Sequence, residues 1–435
     1  MNYRPAVFVG CLIAANAVAQ PVQHDLDDAF AAIEPKVIAW RRDIHEHPEL
    51  SNREFKTAAK VADHLRSLGL DNIETGIAHT GVIGTLEGGK PGPVIALRAD
   101  MDALPVREQT GLPFASKAKG EYNGETVDVM HACGHDTHVA MLMGAAEILA
   151  NNRDQLAGTV KFIFQPAEEG APAGEEGGAA LMVAEGILDG PDAPEAIFGL
   201  HAWPVPAGTL NYRAGSFMAA SDNLQIEIRG RQTHGSSPWH GVDPIYVAAQ
   251  IVTALQGIPS RQLDITKGPA VITVGSIRGG VRGNIIPDAV HMLGTIRTFD
   301  AGVREELHAK LKKTVNLIAE ASGAEATVTI DPYSPVTGND PELLRKMMPT
   351  LAWAAGAGQV VEHPLITGAE DFAWFEQRIP GLYLMLGIND EGIGPGQAPS
   401  NHSPLFHVNE ETLIVGVRTL VGLALDYAGA ADGFR

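Results

Sequence analysis

Cysteine is almost absent: Cys11 and Cys133 are the only two in 435 residues, which excludes a disulfide-stapled scaffold. Positive charge is also scarce. Thirty-two Lys and Arg against 52 Asp and Glu leave a formal net charge of -20. That sign opposes nucleic-acid binding and adsorption to anionic membranes, while leaving room for a local basic pocket. Beyond the N-terminal segment no window offers about 18 uninterrupted apolar residues, so no membrane-spanning helix is expected. The chain has no internal repeat, heptad run or low-complexity linker, and GAPAGEEGG (170–178) reads as a flexible surface loop.

The N-terminus has the grammar of an export signal. MNYR is a short basic start, PAVFVGCLIAANAVA an apolar stretch, and Ala17-Val18-Ala19 a small-residue cleavage site. A signal peptide over residues 1–19 is expected, with a lipoprotein signal at Cys11 as the rival reading. Cleavage near Ala19 makes the mature protein exported, periplasmic or secreted, and free of any membrane anchor. It also leaves Cys133 as a lone thiol, a liability in an oxidising compartment unless it is buried or occupied. A buried core cysteine is the bland reading. His131, His135 and His138 crowd the same stretch, MHACGHDTHVAMLMGAA, and favour occupation.

With 45% hydrophobic and 19% charged residues, the composition is that of a soluble globular protein. Its length exceeds what one compact core usually holds, so two domains are expected. Residues 27–70 look helical, with FKTAAKVADHLRSLGL clearly amphipathic. Strand candidates GVIGTLEG, PVIALRADM, GTVKFIFQ and AIFGLHAW then alternate with helix candidates after Cys133 and around GGAALMVAEGIL, the pattern of an α/β sheet. From about Asp222 the order becomes β-α-β-β-α-β, a ferredoxin-like unit. Helix PELLRKMMPTLAWAAG, strand GLYLMLGI and helix EETLIVGVRTLVGLALDYA follow. The expected architecture is a mixed-sheet α/β domain, residues 20–215 and 335–435, interrupted by an inserted α+β domain, residues 216–334.

Polar clusters sit where the strands end: Asp100 and Asp102 after VIALRA, Glu168 and Glu169 after VKFIFQ, His201 in FGLHAW. Ligands in open α/β sheets bind outside the carboxyl ends of strands, so these clusters can meet in one cleft. Thiolate and imidazole from Cys133 and His135 suit zinc or a similar borderline metal. Glu169, His201 and a late histidine could complete two adjacent ions. Of the paired glutamates, one can bind metal while the other handles a water's proton, the division of labour that hydrolysis needs. Read singly, each residue is weak evidence: a histidine at a strand end is more often structural, and Glu168-Glu169 could be a solvated surface pair.

RRDIHEHPELSNRE, ALRADMDALP, MHACGHDTHVAMLMGAA, FIFQPAEEG, FGLHAWP, THGSSPWHGVDPI, GGVRGNIIPDAV, GTIRTFD, TGAEDFAWF and NHSPLFHVNEE also resemble, in order, a known family. It is the hippurate hydrolase and N-acyl-amino-acid amidohydrolase branch of the aminoacylase and carboxypeptidase metallopeptidase superfamily. The resemblance covers nearly the whole mature chain. It implies a two-metal centre held by Cys133, His135, Glu169, His201 and His402, with Glu168 as general base and Asp102 orienting a metal ligand from behind. The ions would be zinc, manganese, cobalt or nickel. The wider superfamily has a metal-binding histidine where this chain has Asp100, and the Cys133/His135 pair is this branch's replacement.

The inserted unit resembles the family's lid and dimerisation domain, implying a homodimer or higher homo-oligomer. By the same resemblance His234 would reach the reaction centre, its own or a partner's, to stabilise an oxyanion, while Asn284 and Arg297 would hold the substrate's carboxylate or carbonyl. Turn chemistry and a surface salt bridge are their bland readings. His131, His138, His240 and His407 are expected to be structural, and Gly368 to Asp371 to shape the cleft. The resulting expectation is an exported metal-dependent amidohydrolase acting on small N-acyl or N-aroyl amino acids. The alternatives are a dipeptidase or carboxypeptidase, or a non-catalytic periplasmic binding protein, which the presence of Glu168 and every proposed ligand argues against.

Overall fold

The computed structural model describes residues 24–430 except residue 395. The signal-peptide expectation for residues 1–19, with Cys11, lies outside the described residues.

The framework is an eight-stranded mixed sheet. Its strands run Asn72–Ile77, Gly81–Glu87, Ala157–Gln165, Lys90–Asp100, Ala196–Trp203, Gly381–Gly387, Leu210–Tyr212 and Val360–Glu362 from edge to edge. Lys90–Asp100 pairs in parallel with both Ala157–Gln165 and Ala196–Trp203, and Gly381–Gly387 is parallel to the latter. These central strands therefore end together, at the side where Asp100, Gln165 and Trp203 lie. Both faces of the sheet are covered, which explains why IFGLHAW and GLYLMLG read as unbroken apolar runs and not as alternating ones.

The helix His135–Asn151 lies against one face and is buried on nearly all sides, between helices Asp27–Glu46 and Leu413–Ala430. Asp27–Glu46 presents Phe30, Ile33, Val37, Arg41 and Ile44 as one buried stripe. The expected helical region 27–70 is in fact two helices, Asp27–Glu46 and Phe55–Ser67. The reason is Pro48, which forces His47 out of the helical region, followed by Asn52 at φ 59°. The helix over GGAALMVAEGIL likewise covers only Gly178–Ala184, because Gly186 at φ 85° sits just past its cap. A short hairpin, Lys119–Tyr122 with Glu125–Asp128, was not foreseen; its strands are mostly exposed and carry no apolar alternation.

Strands Ala220–Arg229, Ala270–Gly279, Ala289–Thr298 and Glu325–Ser334 form a separate four-stranded antiparallel sheet with β-α-β-β-α-β connectivity. Helices Pro244–Leu255 and Ala301–Ala321 pack on it. Asp243 and Asp300 cap these helices through their side chains. Leu307, Leu311, Val315 and Ala319, four apart, bury one helix face in a core distinct from that of the larger sheet. Among the described residues no helix is long and apolar enough to cross a membrane.

Candidate metal centre

Most of the functional side chains are delivered by a strand end or by the loop that follows it, and two by the start of a helix. Asp102 follows the strand Lys90–Asp100, Glu168 and Glu169 follow Ala157–Gln165, and His201 lies near the end of Ala196–Trp203. Cys133 and His135 flank Gly134, the N-cap of the buried helix. Gly134 has φ 97°, and a Cβ there would meet the Ala202 Cβ at 3.0 Å, so only glycine brings the helix start this close to the strand. His402 sits on a loop with its own positive φ, 68°, held by its N–H donating to the Ala132 carbonyl.

These residues converge. Cys133, His135 and His201 offer ligand atoms within 4.8 Å of one another, as do Cys133, Glu169 and His402, and His135, Glu168 and Glu169. Cys133 Sγ is 3.4 Å from His201 Nε2, and Glu169 Oε1 is 3.0 Å from His402 Nε2. All five expected ligands therefore fall into overlapping trios.

Hydrogen bonding behind the imidazoles prepares them for a cation. His135 Nδ1 lies 2.8 Å from the Asp102 carbonyl, and His201 Nδ1 2.8 Å from the Ala202 carbonyl. A carbonyl only accepts, so each Nδ1 must carry a proton, which leaves Nε2 as the nitrogen that can give its lone pair to a cation. The buried His135 Nε2 has no hydrogen-bond partner and lies 3.8 Å from both Asp100 Oδ2 and Glu168 Oε2. An orphaned buried nitrogen among carboxylates, with thiol and imidazole beside it, fits a borderline divalent metal.

The electrostatics point the same way. Burial pushes the Glu168 carboxyl well above its usual range, and Glu370 and Glu169 push it further. Burial likewise raises the Cys133 thiol, with Glu169 and Glu168 adding to it. For His135, burial opposes the charged form, but the carboxylates of Asp100 and Asp102 outweigh it and raise the group to about 10. Burial and His138 hold His201 well below the ordinary histidine value. Negative charge is concentrated here in excess of the local protein cations, and bound cations reverse this logic by deprotonating a thiol outright.

Asp100, at the superfamily's histidine position, is buried with its oxygens committed: Oδ2 accepts from Arg98 Nη1 at 2.6 Å and Oδ1 pairs with His138 Nδ1 at 2.5 Å. His138 Nε2 accepts the Ala202 N–H at 2.8 Å, so this histidine braces the site as expected of a structural residue. Arg98 also binds Glu370 and Asp371, at 2.9 and 3.0 Å. Sequence reasoning missed Arg98, although an arginine inside the apolar strand PVIALRAD is itself a signal of buried acidic partners.

Cys133, Glu168, Glu169, His201, His402 and Arg297 line one cavity of about 590 Å³. Trp203, Pro204 and Met218 give it an apolar wall, and Gly368, Ala369 and Glu370 help to shape it. Arg297 is anchored through Nη1 to the Ser221 and Thr295 hydroxyls and the Ile296 carbonyl. Asp102 does not line the cavity, but its carboxylate accepts the N–H groups of Glu168 and Glu169, which do. His234 and Asn284 do not line this cavity. They are exposed and sit beside each other, the Gly235 N–H donating to the Asn284 carbonyl at 2.8 Å.

The family description for peptidase family M20/M25/M40 matches residues 96–426. The chain is 41% identical to a thermostable carboxypeptidase of Saccharolobus solfataricus, over 91% of this chain and 96% of that one. It is 38% identical to an N-acetylcysteine deacetylase of Bacillus subtilis, over 91% and 98%. A crystal structure of a Bacillus subtilis dinuclear metal-binding peptidase superposes with a TM-score of 0.76 at 36% identity, covering 92% of this chain and 99% of that one. The chain belongs to peptidase family M20/M25/M40 and is a metal-dependent hydrolase of amide bonds.

Proposed function

We propose that this amide hydrolase cleaves N-acyl or N-aroyl amino acids, with Glu168 as general base. The observation that carries the reading is the single cavity in which Glu168, the five candidate ligands less His135, an apolar wall and Arg297 all meet. Two divalent ions held by Cys133, His135, Glu169, His201 and His402, whether zinc, manganese, cobalt or nickel, would supply Lewis acidity to the amide carbonyl and the attacking water. Glu168 takes that water's proton and hands it to the leaving amine nitrogen. Asp102 fixes His135 through its carbonyl and receives the Glu168 and Glu169 N–H groups on its carboxylate. Arg297 matches the substrate's carboxylate, and Asn284, which lies beside His234 and outside this cavity, would add a second contact by the same route as His234. The apolar wall of Trp203, Pro204 and Met218 receives the acyl group.

The finer assignments belong to the same reading. Residues 216–334 serve as lid and dimerisation domain of a homo-oligomer, supported by their separate core. His234 serves the oxyanion from that domain, and its exposure away from the cavity of its own chain favours service to a partner's site. The basic, apolar and small-residue order of residues 1–19 supports export. The carboxypeptidase relative keeps peptide cleavage as a second reading.

A panel of acetyl-, benzoyl- and dipeptidyl-amino acids, assayed with several divalent metals, tests the substrate class. Preference for dipeptides over both blocked substrates would overturn it. Glu168→Gln should retain metal and lose roughly a hundredfold to ten-thousandfold in kcat, the usual scale of general acid-base work. Near-normal turnover would place the base elsewhere.

A further inference from the structure

Three consecutive main-chain N–H groups follow the strand Ala157–Gln165, and three carboxylate oxygens receive them. Ala167 donates to Glu54 Oε1 at 2.9 Å, Glu168 to Asp102 Oδ1 at 3.1 Å, and Glu169 to Asp102 Oδ2 at 3.0 Å. Within the turn itself the Gly170 N–H reaches the Ala167 carbonyl at 3.3 Å, a long bond that fixes neither the Ala167 nor the Glu168 N–H. Ala167 has φ 53°, in the left-handed region that residues with a Cβ avoid, so its conformation must be imposed by its surroundings. Glu54 is fully buried, and its other oxygen, Oε2, accepts the Thr80 hydroxyl at 2.6 Å. Both oxygens of a buried acid, 113 residues away in sequence from the turn, are thus spent on fixed protein groups.

The two carboxylates differ in what else they touch. Asp102 also approaches His135 Nδ1, at 3.3 Å, so it joins the turn to a candidate metal ligand. The side chain of Glu54 contacts the turn and Thr80. We propose that Glu54 is a positioning residue for hydrolysis, holding Ala167 in its strained conformation and so aiming the Glu168 carboxylate at the attacking water. This rests on the reading of Glu168 as the base. A main-chain rotation at Ala167 swings the next side chain through the cavity, and misplacement by about 1 Å costs on the order of a hundredfold in rate.

The test is a set of variants of the metal-loaded enzyme, each with metal content, thermal denaturation, kcat and KM. Glu54→Asp keeps the carboxyl group but draws the oxygens back by one methylene; its kcat should fall roughly ten- to hundredfold while KM and metal content hold. Glu54→Gln should stay within about threefold of the parent, since its amide oxygen still accepts the Ala167 N–H. Adding Glu54→Asp to Glu168→Gln should lower kcat no further, because residues acting as a unit are not additive. A folded Glu54→Asp enzyme with parental kcat would overturn the proposal, as would losses that multiply in the double variant. Should Glu54→Asp fail to fold, Glu54→Leu, which removes the acceptor of the Ala167 N–H at similar side-chain size, takes its place: a large loss of kcat at constant KM and metal content supports the proposal and a parental kcat overturns it. Near-normal activity in Glu168→Gln alone overturns the base assignment instead, a result distinguishable from all of these.

Discussion

Tyr333 donates its hydroxyl to the main-chain carbonyl of Glu168 at 3.1 Å, joining the last strand of the smaller sheet unit to the turn that carries the proposed base. The fit is close: at Gly170, which has φ 111°, a Cβ would come within 3.2 Å of that hydroxyl. Tyr333→Phe keeps the ring and removes the bond. A net hydrogen bond of about 1 kcal/mol, felt in the transition state, corresponds to roughly a fivefold fall in kcat. Steady-state kinetics beside thermal denaturation check this, and unchanged values in both would make the contact incidental.

Cys133 belongs to two of the candidate trios, one with His135 and His201 and one with Glu169 and His402. Its replacement should therefore be felt by more than one ion. Purified mature protein should hold about two ions per chain, and Cys133→Ser should lose at least one, since a hydroxyl is a poor substitute for the soft thiolate. Elemental analysis of the parent and the variant measures both, and activity after chelation and metal return shows whether the ions serve the reaction. Metal-free protein from gentle purification, with activity indifferent to chelators, would refute the two-metal assignment.

Much of this centre was legible because its residues sit at strand ends. VIALRAD, VKFIFQ and FGLHAW are apolar enough to be read as buried strands, and their polar tails then have one place to meet. What stayed hidden is tertiary. Nothing near Glu54 in sequence announces Ala167, and nothing near Tyr333 announces the Glu168 carbonyl, because a carboxyl or phenol bonding to distant main chain leaves no periodicity or spacing. The break after Glu46 was hidden differently: FKTAAKVADHLRS and the preceding helix share the same amphipathic period, and only the φ constraints around Pro48 and Asn52 separate them.

Asp222 is buried in the first strand of the smaller unit, where it accepts from Arg304 Nη2 and, at 2.8 Å, pairs with His308 Nε2. Burial alone would raise this carboxyl, but the hydrogen bonds from His308 and Arg304 outweigh it and hold the group below the usual carboxylate range. A folded value below the unfolded one means that the stabilisation is present above about pH 4 and is lost as pH falls through the depressed value. Asp222→Asn should cost about 2 kcal/mol at pH 7 and at pH 5, discounted from a fully buried pair because Arg304 and His308 are partly exposed. The gap should close towards pH 3. Urea unfolding at the three pH values reads it, and a gap that widens on acidification would reverse the sign.

The hardest assignment to reach from one chain is His234. It is exposed, its Nδ1 accepts from the Ser236 N–H at 3.1 Å, and it does not line the cavity that holds Glu168. Either the smaller unit moves to bring it in, or a second chain supplies it; a closing lid would also exclude water as it arrived. Inactive Glu168→Gln and inactive His234→Ala chains distinguish these routes. In a mixed dimer with exchange across the interface, one site receives both an intact base and an intact oxyanion donor, and activity should return to roughly half that of the parent dimer, the other site carrying both lesions. Subunit exchange must be shown separately, by pull-down of differently tagged chains. Mixed dimers that form and yet stay as inactive as the separate variants would confine His234 to its own chain's site or remove it from the chemistry.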